Sequence, residues 1–149
     1  MENAGGRVAA AILLMLTMVG AMATYLDDAG FGRTEWPAPI SVAALIGFVV
    51  GWRQLGPSLG RGFGPSGLYG LGAALVSLVI FAALYGARSA GADQMREPFA
   101  DVADAIAYGA RAGFSVFEAA FLSRRTLAAL VVGAISSGIL SEFVGRITR

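Results

Sequence analysis

Residues 39–64 read PISVAALIGFVVGWRQLGPSLGRGFG, and the fold turns on that stretch. An uncharged run over 40–52 stops at Arg53, a glycine-rich loop with Pro57 and Arg61 follows, and a second long apolar run begins at Pro65. Two apolar runs joined by a short basic turn make a membrane hairpin, because a hydrocarbon core of ~30 Å demands about 20 apolar residues per helix. The first run is short for a span, but residues 36–55 reach the required length if Arg53 extends its guanidinium to the headgroups. Basic turns between spans favour the cytoplasmic side.

Working outward, residues 65–87 carry no charge and place Pro65 at their start and Tyr69 and Tyr85 near their ends, a strong span with interfacial aromatics. Residues 8–26 are also uncharged, between Arg7 and the pair Asp27 and Asp28, and as a helix they measure about 28 Å. The competing reading is a cleaved signal peptide, with Ala21, Met22 and Ala23 as the cleavage site. The run continues past that point to Leu26, which favours a retained helix. Residues 27–39 hold two glycines, two prolines and four charges and read as a loop, with Trp36 where the next span enters the interface. Residues 126–145 form the last span, flanked by Arg124, Arg125 and Arg146.

Small residues recur four apart on three spans. Ala43, Gly47 and Gly51 form one ridge, Ser66, Gly70 and Ala74 a second, and Ala129, Gly133, Ser137, Ser141 and Gly145 the longest. Such ridges let helix backbones approach closely, so packing is their expected role. Ala134 is expected on a neighbouring face that tolerates Leu better than Gly133 does.

Residues 88–97 are polar and read as a turn that ends at Pro98. Over 98–122, Phe99, Val102, Ile106, Ala110, Gly113, Phe117 and Phe121 recur on one helix face, while Asp101, Asp104, Tyr108, Arg111, Ser115 and Glu118 occupy the other. Four charges cost more inside hydrocarbon than the apolar side chains return, so this helix is expected to lie in the interface as a roof to the bundle. A cation-binding role for the acidic stripe is the alternative. The fold class is therefore an all-α membrane protein, one integral domain over 1–149, with spans at about 8–26, 38–55, 65–87 and 126–145 and an amphipathic helix at about 98–122.

The absence of Cys and His removes thiolate and imidazole chemistry and the usual soft-metal ligands. No cofactor, metal site or catalytic constellation is expected, and an enzyme is the least favoured class. A net charge of +1 gives no field for nucleic acid. The fraction of 56% hydrophobic residues and the mean hydropathy of +0.69 instead name the lipid bilayer as the partner, with a homo-oligomer or other membrane helices as further ones.

Residues 62–67 spell G-x-G-x-x-G, but a membrane helix stands where the dinucleotide fingerprint needs a strand, and no Walker lysine is present. What the turn offers is an anion site, from free N–H groups at the start of the next helix with Arg53 and Arg61 beside them; its plainer role is a cytoplasmic topological turn. Glu142 is the one acid inside an apolar run. One turn from the end, it is placed to snorkel or pair with Arg146 at i+4, with coupling-ion binding as the alternative.

Trp36-Pro37, Ser41-Val42-Ala43-Ala44, Val50-Gly51-Trp52-Arg53, Gly60-Arg61-Gly62 and Ser141-Glu142-Phe143 before Arg146 together give a chain that resembles the TrgA family, small bacterial membrane proteins associated with tellurite resistance. The resemblance covers most of the chain in order and spacing, although Asp101 and Asp104 make 98–122 more polar than that family's pattern. It implies an accessory protein of the bacterial inner membrane, with several spans and a tellurite-tolerance phenotype, that affects oxyanion passage, and it brings no catalytic residue with it. Arg53 and Arg61 become the residues to contact the oxyanion. Both termini are expected in the cytoplasm. A small channel or ion-coupled transporter, and a non-transporting membrane scaffold, are the rival functions.

Overall fold

The computed structural model describes residues 4–95 and 99–148. Five helices follow one another: α1 at Ala4–Asp28, α2 at Pro37–Val50, α3 at Phe63–Gln94, α4 at Val102–Leu122 and α5 at Arg124–Ile147. No strand occurs among the described residues. α2 runs on through a π turn, Gly51–Leu55, and a 3-10 turn, Gly56–Ser58. With that extension four of the five helices are long and apolar enough to cross a membrane, and α4 is the exception. The chain is a multi-pass membrane protein.

Glycine sets how closely these helices approach. A Cβ on Gly47 would stand 2.9 Å from the Leu14 carbonyl oxygen and one on Gly51 2.6 Å from that of Ala10, so the ridge with buried Ala43 seats α2 on α1. On α5 the predicted ridge faces α1: Gly133 meets the Thr17 side chain, and Ser137 Oγ shares a 2.8 Å hydrogen bond with Thr17 Oγ1. Ser141 is fully buried and its hydroxyl donates to the Ser137 carbonyl at 2.5 Å. Ala129 packs half-buried against the same core.

α5 has a second packed face that the ridge pattern does not contain. A Cβ on Gly138 would overlap the Ser66 carbonyl oxygen, and one on Gly70 would overlap that of Ala134. Ala134 is itself completely buried. The expected tolerance of Ala134 is thus corrected: α5 lies between α1 and α3, with Gly133 against Thr17 of α1 and the Ala134 backbone against Gly70 of α3.

Residues 88–94, expected in a turn, continue α3 as helix. Ala87, Arg88, Ala90 and Ala92 favour helix intrinsically, and α4 folds back antiparallel along this segment. A Cβ on Gly113 would lie 2.7 Å from the Ala82 carbonyl oxygen, and one on Gly109 would lie 3.1 Å from that of Gly86. At 32 residues, α3 measures about 48 Å, against a hydrocarbon core of ~30 Å, so part of it must stand outside the core. The helix start expected at Pro98 falls outside the described residues; Asp101 caps α4 instead, accepting from the Asp104 amide at 2.8 Å.

The inward face of α4 also differs from the expected stripe. Gly113, Val116 and Ala120 are buried, whereas Val102 and Ile106 are 75% and 67% exposed. Small residues decide the contact because the backbones nearly touch, and the large apolar side chains are left for the surroundings. At the far end, Ser123 caps α5 through the Thr126 amide and donates to Asp28 at 2.5 Å, with Arg125 3.6 Å from the same carboxylate.

Candidate functional site

The N-terminal turns of α1, the α2–α3 connection and the last turns of α5 come together at one end of the bundle. Gly5 lies against Thr148 there, and Gly56 against the Arg7 side chain. The α2–α3 connection needs glycine at two points: Gly60 and Gly62 hold φ of +96° and +104°, a region that L side chains rarely adopt. Those conformations reverse the chain and point the Gly60 N–H into the bundle.

Glu142 receives it. Its Oε2 accepts from the Gly60 amide at 2.5 Å and from the Ser66 hydroxyl at 3.2 Å, while Oε1 accepts from Arg146 Nε at 3.0 Å. The side chain is 1% exposed. The expected i+4 pairing with Arg146 is present, but Glu142 does not snorkel: it turns inward to a loop 82 positions away in the sequence. Three charge-assisted hydrogen bonds explain how a carboxylate stands among buried small residues. The carboxylate also lies by the first turn of α3, where unpaired N–H groups and the helix dipole favour negative charge.

Around this clamp, arginines lie over aromatic rings. Arg146 stands 4.4 Å from the Phe63 ring centroid, Arg61 5.1 Å from that of Tyr69, and Arg7 5.5 Å from that of Trp52. Arg61 Nη1 also donates to Tyr69 Oη. Arg53 is exposed on the π turn and forms no ion pair among the described residues. The fold therefore brings Arg53 and Arg61 to the same end of the bundle, Arg61 engaged with a tyrosine and Arg53 open, but shows no shared contact between them.

The arrangement can hold an anion, and the anion it holds is the chain's own carboxylate. Glu142 stood out in the sequence as an acid in an apolar run, whereas its partners Gly60 and Ser66 could not be paired with it from spacing. Groups of three or more acidic side chains able to hold a metal are absent among the described residues, and Asp101 is engaged as a helix cap. Comparison of the chain with protein-family models, with curated proteins and with solved structures finds no match.

Proposed function

We propose that this chain is an accessory protein of the bacterial inner membrane, with both termini cytoplasmic, that raises tolerance to tellurite in the manner its resemblance to TrgA proteins implies. The observation that carries the reading is the Glu142 clamp. It ties the Gly60-Arg61-Gly62 turn to the Ser141-Glu142-Phe143 segment and Arg146, so separate stretches of the resemblance meet in one structural unit. With the inward donors of the turn taken by Glu142, an oxyanion is met on the outer side, by Arg53 and Arg61, whose planar forks suit such ligands. Orientation follows from the α2–α3 turn, which carries two arginines and no acid.

Passage through a single protomer has little support, because Leu14, Met18, Ala74 and Leu78 fill the bundle beyond the clamp. Tellurite uptake and growth in cells with and without the gene test the accessory role, and unchanged tolerance on deletion rejects it. The Arg53→Lys, Arg61→Lys double variant tests the contact: it keeps charge for topology but loses bidentate geometry, so tolerance falls while membrane level holds.

A scaffold reading is favoured by one feature, an open groove of about 300 Å³ between α1 and α5 lined by Gly20, Gly133 and Ser136, wide enough for side chains of another membrane helix. Gly20→Leu would fill it. Copurification lost in that variant would support the scaffold.

A further inference from the structure

Between the C-terminal end of α1, the start of α2 and the outer half of α3 lies a cleft of about 800 Å³, far from the Glu142 clamp. Its origin is in the glycine pattern: α2 touches α1 closely at Gly47 and Gly51, and towards Pro37 no glycine draws it in. The cleft opens where that close contact ends. The inner wall is apolar, formed by Met22, Leu26, Phe81 and Leu84, with Tyr25 and Tyr85 above them. At the rim stand Glu35 and Arg88, both exposed, and no ion pair joins them among the described residues.

We infer that this cleft binds a zwitterionic glycerophospholipid, its phosphate at Arg88, its ammonium at Glu35 and one acyl chain against Met22 and Phe81. Two opposite charges held apart on one rim complement a headgroup that carries both signs, and an anionic lipid would bring only repulsion to Glu35. The geometry runs in the same direction as a lipid. Phe81 lies seven residues before Arg88 on α3, about 10 Å along the axis, so charged groups, then tyrosines, then apolar side chains succeed one another from the rim inward, as headgroup, glycerol and chain do in a leaflet. Water is a poor occupant against the apolar inner wall of Met22, Leu26, Phe81 and Leu84. The assignment stands independently of any role in tellurite tolerance.

The test is native mass spectrometry of the purified full-length protein with phosphatidylethanolamine or phosphatidylglycerol of identical chains. The wild type is expected to retain phosphatidylethanolamine in preference. Arg88→Gln should lower retention of both lipids, by about fivefold for a partly exposed ion pair. Glu35→Gln should erase the preference by weakening phosphatidylethanolamine and admitting phosphatidylglycerol. Both positions are exposed, so thermal unfolding of the variants is expected to match the wild type and serves as the folding control. Equal retention of the two lipids by the wild type, no retention of either, or retention unaffected by both substitutions would each overturn the assignment.

Discussion

The Gly60 amide donates to the Glu142 carboxylate at 2.5 Å, and that bond fastens the α2–α3 turn to the end of α5. Glycine presents its N–H this way at φ +96°, where L side chains are rarely found, and an acid at 142 accepts from Gly60, Ser66 and Arg146 together.

Replacing Glu142 should accordingly loosen the turn. Glu142→Ala leaves the Gly60 and Ser66 donors without their acceptor, and a cost of about 2–3 kcal/mol is expected. Glu142→Gln keeps one carbonyl acceptor and should cost less. Unfolding in mixed micelles measures both, and limited proteolysis across 56–64 should quicken in the same order. Equal stability of all three proteins would show that the clamp contributes nothing.

The glycines of α3 should divide sharply by position. A Cβ at Gly70 would overlap the Ala134 carbonyl oxygen, whereas one at Gly72 meets nothing within 4 Å. Gly70→Ala must push α3 from α5, an overpacking cost of about 1–3 kcal/mol. Gly72→Ala should be neutral or stabilise by up to about 1 kcal/mol through helix propensity. The same unfolding assay decides, and a similar loss for both would place the α3–α5 contact elsewhere.

On α5, Gly133→Leu and Ala134→Leu should both be severe. The first collides with Thr17 on α1, and the second has no room because Ala134 is completely buried where its backbone meets Gly70 of α3. Val132→Leu, at a position 64% exposed, is the control and should leave stability within about 0.5 kcal/mol. A tolerant Ala134→Leu would mean that α3 and α5 do not meet there.

Tyr108 offers a pH readout outside the spans. The neighbouring Asp93 carboxylate favours the protonated phenol as a hydrogen-bond acceptor, and with desolvation and the Asp93 charge acting in the same direction the Tyr108 pKa is raised above the ordinary 10.0. Because the folded-state value is the higher one, any stability from this contact is complete below about pH 10 and is lost as pH rises through the folded value. Phenolate absorbance, taken as wild type minus Tyr108→Phe, should titrate above 10, and Asp93→Asn should bring the midpoint down. An unmoved midpoint in Asp93→Asn would remove Asp93 as the cause.

Run length and charge placement were enough to find the four spans, because the demand for apolar residues across a bilayer is a property of each segment alone. The same holds for the amphipathic character of 102–122 and for the small-residue ridges, which are periodic along one helix. Which neighbour a face meets is not a property of one helix. Gly138 and Ala134 became contacts because α5 lies between two partners, and α4 turned Gly109, Gly113 and Val116 inward because Gly86 of α3 allowed the backbones to approach. Glu142 shows the division most plainly: its presence in an apolar run and its i+4 partner Arg146 were legible, but Gly60 and Ser66 lie 82 and 76 residues away, and only folding could bring a left-handed glycine to it.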